Sequence, residues 1–118
     1  MEMSADYMRQ TAEHMATKGY ALEVQHDEKE RDGQRIFVRD RYALTRNDNE
    51  HFILECITYP DGQEKYFIEV KRYHSIYTFS FPLDSWKHRP DRVEFKYYAL
   101  PETGLGLSFI LTFPKEDD

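Results

Sequence analysis

The chain predicts an α+β fold, an N-terminal helix packed on a curled, roughly seven-stranded antiparallel meander of half-barrel or barrel-like form. Three observations carry this. One short amphipathic helical stripe opens the chain, apolar-polar alternation runs through most of the remainder, and turn sequences punctuate the alternating runs. At 118 residues and 14.2 kDa, residues 1–118 read as a single domain.

Ser4 or Asp6 can cap a helix running to about Lys18, because Tyr7, Met8, Thr11, Ala12, Met15 and Ala16 recur three and four apart on one side. Gly19 supplies the stop signal. A first strand, Tyr20–His26, alternates Tyr20, Leu22 and Val24 against polar neighbours, and Asp27–Gly33, with four acids and two bases, reads as a charged loop.

The second strand, Arg35–Leu44, carries Ile36, Val38, Asp40, Tyr42 and Leu44 on one face, and turn chemistry follows at Arg46–Asn49. The third strand, His51–Tyr59, continues that parity with Phe52, Leu54 and Cys56. Pro60-Asp61-Gly62 then fits a three-residue hairpin loop into the fourth, Glu64–Tyr73. His74-Ser75 leaves room for a two-residue loop before a fifth strand, Ile76–Phe81, with Arg72 expected opposite Tyr77.

Pro82–Asp91 reads as an irregular connection, and two further strands, Arg92–Leu100 and Leu105–Phe113, close the chain ahead of a frayed acidic tail. Seven strands about 4.8 Å apart make a sheet roughly 30 Å wide, which one helix about 10–12 Å across cannot cover. The sheet is therefore expected to curl, to pair with a second copy, or to hold a ligand in its concavity.

Composition narrows the function classes. A net charge of −6 opposes general nucleic-acid affinity. The N-terminus lacks a signal-peptide apolar run and no stretch is long enough to span a bilayer, so no membrane association and a cytoplasmic location are expected. One cysteine rules out an intrachain disulfide. The histidines at 14, 26, 51, 74 and 88 show no metal-ligand spacing, and no nucleophile-elbow or phosphate-loop motif is present, so neither metal nor cofactor is expected.

Two constellations stand out. Taking Val24 opposite Ile36 and Leu44 opposite Phe52 sets Tyr20, Asp40, Cys56 and Tyr66 in one row across four strands on the apolar face. A carboxylate there would need the tyrosine hydroxyls as partners and would rise in pKa, so Tyr20, Asp40, Tyr42 and Tyr66 are the candidate ligand-binding residues. The basic patch Trp86–Lys96 sets Trp86, Arg89 and Arg92 together as a candidate protein-contact surface.

The function expected is that of a non-enzymatic protein-binding or regulatory module, with a protein partner or a second copy (a homodimer) as its target. The alternative is a small-ligand-binding barrel or an enzyme with its pocket around Asp40. A lesser alternative is single-strand nucleic-acid binding through the outward residues Phe37, Tyr59, Phe67, Tyr73 and Tyr98 with Arg39, Arg41, Lys71 and Lys96.

Overall fold

The computed structural model describes residues 4–46, 50–72, 79–100 and 105–112. One helix, α1 (Ala5–Ala16), is followed by eight strands: β1 (Ala21–Arg31), β2 (Gln34–Arg46), β3 (Glu50–Thr58), β4 (Glu64–Arg72), β5 (Phe79–Pro82), β6 (Ser85–Arg89), β7 (Arg92–Leu100) and β8 (Leu105–Thr112). They form two separate antiparallel sheets, ordered β1-β2-β3-β4-β5 and β6-β7-β8.

This corrects the fold expectation. There is no single seven-stranded meander, and neither sheet closes into a barrel. The stretch read as an irregular connection supplies the reason. Leu83 and Asp84 interrupt the ladder after β5, and Ser85–Arg89 begins a new one with β7, Trp86 opposite Phe95 and His88 opposite Val93. The wide sheet that one helix could not cover is covered by the chain's own second sheet. Leu83, Trp86, Val93 and Phe95 join the same buried cluster as Tyr7, Met8, Ala12 and Met15 of α1 and Tyr42, Leu44, Phe52, Leu54, Cys56 and Ile68 of the first sheet.

Local chemistry sets the turns. Ser4 caps α1, its Oγ accepting from the Tyr7 amide at 3.0 Å. Asp32 and Gly33, both at positive φ, make a two-residue hairpin loop, the geometry that Asp-Gly favours between twisted strands. The expected charged loop Asp27–Gly33 is therefore strand almost to its tip. Gly62, at φ 88, completes the expected Pro60-Asp61-Gly62 loop, with the Tyr59 amide donating to the Gln63 carbonyl at 2.9 Å. The turns expected at Arg46–Asn49, at His74-Ser75 with the Arg72–Tyr77 pair, and after Leu100, and the acidic tail, fall wholly or mainly outside the described residues.

Eleven residues make β1 and thirteen make β2, so β1 alone is about 37 Å long, whereas the twelve residues of α1 span about 18 Å. Thr58 at the end of β3 pairs with Val38, and beyond that level β1 and β2 continue as a two-stranded arm with no third strand among the described residues. Ile36 lies between the paired residues Arg35 and Phe37 without a partner of its own, a one-residue bulge near the tip. No helix among the described residues is long and apolar enough to cross a membrane.

Candidate functional site

Register decides which side chains meet. On β2, β3 and β4 the expected pairs are present: Asp40 opposite Cys56, Tyr42 opposite Leu54, Leu44 opposite Phe52, and Cys56 opposite Tyr66. On β1 the pairing lies six residues from the expected one. Val24 faces Tyr42 rather than Ile36, and His26 rather than Tyr20 faces Asp40. The row across four strands is thus His26, Asp40, Cys56 and Tyr66.

Tyr20 is at the opposite end of the sheet, roughly 20 Å from Asp40 along the strand direction. There it is buried edge-on against Phe52 at 5.9 Å, with its hydroxyl donating to Glu50 at 3.3 Å and the Arg46 guanidinium over its ring. Tyr42 is buried beneath the helix, its hydroxyl pushed up in pKa first by burial and then by the Asp40 charge. Because neither sheet closes, Tyr20, Asp40, Tyr42 and Tyr66 line no common barrel interior.

What the row contains is a graded set of environments. His26 Nδ1 and Asp40 Oδ1 stand 2.6 Å apart, and the other ring nitrogen lies 3.5 Å from Glu28. The two carboxylates hold the imidazolium above its ordinary pKa, the hydrogen bond to Asp40 contributing most. Asp40 is 27% exposed at its side chain, so this is an open pair on a shelf. Next along, the Cys56 thiol is buried and pushed up to about 11 by desolvation, against a weaker opposing hydrogen bond from Thr58. A thiol so placed stays protonated near neutrality and makes a poor nucleophile. At the far end the Tyr66 hydroxyl donates to Glu64, and the same carboxylate accepts the Ala5 amide at 2.9 Å, tying the start of α1 to β4.

The helix and second sheet leave part of this inner face bare. Val24 is 57% exposed and Ile36 36%, and these are the exposed large apolar side chains among the described residues. With Val38, His26, Glu28 and Asp40 they make a shelf along the β1–β2 hairpin that is apolar in part and bordered by charges of both signs. Arg35 lies 3.4 Å from Glu28 and His26 lies 2.6 Å from Asp40, so each of these carboxylates has a cation beside it.

Trp86, expected on a contact surface, lies inside the core at 3% exposure. Its ring stacks on Tyr7 at 5.4 Å and meets Tyr66 edge-on at 5.1 Å. Arg89 is exposed; Arg92 is half-buried and ion-paired with Asp91 and Glu94. The three residues do not share a surface, since the tryptophan serves the joint between helix and sheets. On the outer face of the first sheet, Arg39 pairs with Asp27 at 3.1 Å and Arg41 with Glu55 at 3.3 Å, while Lys65 sits over the Tyr59 ring. Phe37 and Phe67 are half-buried there. Lys96 belongs to the second sheet and Tyr73 lies outside the described residues, so the stacking platform expected from the sequence is not one surface. A shallow depression on that face, lined by Glu23, Gln25, Arg41, Ala43 and Ile53, is bordered by charge of both signs.

His88 sits where α1 meets β6. Its Nδ1 is 3.2 Å from the Thr11 hydroxyl, its backbone amide donates to the Tyr7 hydroxyl, and the His14 ring is 5.1 Å away. Burial, then repulsion from His14, depresses its pKa. The folded state thus holds fewer protons at this site than the unfolded chain, and its contribution to stability is present above about pH 6.5 and lost as pH falls through the depressed value. His26 works in the opposite sense, its contribution being present below about pH 6.5 and lost as pH rises through its raised value. Thermal unfolding of wild type and His88→Gln between about pH 7 and 5 is expected to show a steeper acid loss for wild type. Parallel curves would contradict it.

Among the described residues no three histidine, cysteine, aspartate or glutamate side chains gather in a way that could hold a metal ion. Comparison with protein-family models, with curated proteins and with solved structures finds no match to this chain.

Proposed function

We propose that the chain is a non-enzymatic protein-binding module that receives a basic, partly apolar segment of its partner on the uncovered inner face of the β1–β2 hairpin. The observation that carries this reading is the exposure of Val24, on the edge strand where β3 still runs alongside, and of Ile36, on the arm that outruns β3. Isolated surface apolar residues are ordinary. Here they accompany the ion pairs Glu28–Arg35 and Asp40–His26, on a chain whose net charge of −6 draws basic partners. The net charge favours segments rich in lysine and arginine, and the shelf offers them apolar contact and charges of both signs.

The chemistry of the row supports binding over catalysis. Its thiol is held protonated by burial, and its tyrosine donates to a carboxylate already shared with the helix start. The pairing of Arg39 and Arg41 with acids on the outer face lowers the positive field that a nucleic-acid strand would need. A photoreactive amino acid at Glu28 or Val38, with Lys65 on the outer face as control, tests the reading in cells. Adducts to other polypeptides are expected from the arm positions, weakened by Asp40→Lys. Equal adducts from both faces, or none from the arm, would overturn the assignment.

A further inference from the structure

We infer that β1 is a self-pairing edge, and that two copies join their five-stranded sheets antiparallel about a two-fold axis at Val24. The sheet order leaves β1 at one end, paired among the described residues only with β2. An open edge of this length invites another strand unless charge or a bulge protects it. Protection is unevenly distributed along β1. All five residues of Asp27–Arg31 are charged, whereas Ala21–His26 carries one carboxylate, Glu23. The unguarded half is the half that holds Val24, the most exposed large apolar side chain described.

Symmetry and charge then narrow the register, and the exposure of Val24 selects within it. Directly opposed pairs in an antiparallel ladder alternate between hydrogen-bonded and non-hydrogen-bonded types, so a two-fold axis must set some residue against its own copy. Centring on Glu23 or Asp27 opposes identical carboxylates, and centring on Gln25 opposes Glu23 to Asp27 of the other copy. Centring on His26 opposes two imidazoles that Asp40 and Glu28 both favour in the charged form, and sets Val24 against Glu28. Centring on Val24 avoids each of these clashes. Val24 meets Val24, Glu23 meets Gln25, Leu22 meets His26 and Ala21 meets Asp27, with no like charges directly opposed. It also removes from water the apolar side chain that the monomer leaves exposed.

This pairing rests on the strand edge and not on the partner surface proposed above; it takes Val24 out of that surface and leaves Ile36, Val38 and Asp40 open. The two failures are also separable. Loss of partner adducts would leave the mass unchanged, and loss of the dimer would leave arm adducts in place.

The test uses the full chain in sedimentation velocity and light scattering, with single cysteines placed in a Cys56→Ala background. A species of twice the 14.2 kDa chain mass is expected, reduced to the chain mass by Val24→Lys, a change at an exposed position. Val24→Cys is expected to form an intermolecular disulfide on mild oxidation, at least tenfold faster than Gln25→Cys, whose copies stand diagonally. A monomer at all concentrations up to several hundred micromolar would overturn the inference. So would a dimer indifferent to Val24→Lys, or cross-linking as fast at 25 as at 24. Circular dichroism on each variant separates a lost interface from a lost fold, and Val24→Thr serves in place of lysine if the latter does not fold.

Discussion

Replacing Trp86 by alanine is expected to lower the unfolding free energy by about 3–5 kcal/mol, read as a drop in the urea midpoint. The indole is sandwiched where three elements meet. Tyr7 of α1 stacks on one side, Tyr66 of β4 comes edge-on, and β7 lies beside it through the Trp86–Phe95 pair. Truncation leaves a cavity whose walls belong to different elements, and walls of that kind collapse poorly because each is fixed by its own ladder. Phenylalanine at the same position separates packing from polarity. The indole N–H is buried with no acceptor among the described residues. Trp86→Phe therefore keeps most of the stacking and removes an orphan donor, and a loss under about 1.5 kcal/mol is expected. A Trp86→Ala loss below about 1 kcal/mol would mean that the two sheets do not share this core.

How much of this was legible in the sequence differs by element, for physical reasons. The helix, with its Ser4 cap, and the β2, β3 and β4 ladders follow from patterns whose signals are local: a capping side chain, a glycine at positive φ, a strict period of two. The Asp40–Cys56–Tyr66 part of the row follows from the same signals. Two features were harder to read. The first was the β1 register, although Asp32-Gly33 carries the hairpin signature. Taken alone, a two-residue loop there pairs Arg31 with Gln34 and would face Asp40 with Gln25, turning Val24 and Tyr42 to opposite faces. One extra residue restores the common face, and Ile36 is that residue. Turn plus parity thus imply the bulge, and with it the His26–Asp40 pair. The second was the cover of the core. Whether Trp86 points into solvent or into the core depends on where β6 lies relative to α1, and no local pattern encodes that placement.

Phe52→Ala is the second large effect expected, again about 3–5 kcal/mol, and its sequence neighbour supplies the control. Phe52 is 0% exposed, lies between Leu44 and Val70 across the ladders, and receives the Tyr20 ring on its edge. Ile53, one residue on, points to the outer face, half-buried between Ala43 and Glu69. Its truncation is expected to cost about 1 kcal/mol, because part of its surface is already wet and the space left opens to solvent. The ratio of the two losses tests strand parity directly. A one-residue slip in β3 would exchange their environments, so comparable losses, or a larger one at Ile53, would reject the register on which the His26–Asp40–Cys56–Tyr66 row depends. The same variants bear on the tyrosine at the other end of the sheet. Burial, and then the neighbouring Glu50 charge, raise the Tyr20 hydroxyl in pKa. Removing the Phe52 ring admits water beside it, and a fall in the Tyr20 titration midpoint toward the ordinary value is expected with Phe52→Ala and not with Ile53→Ala.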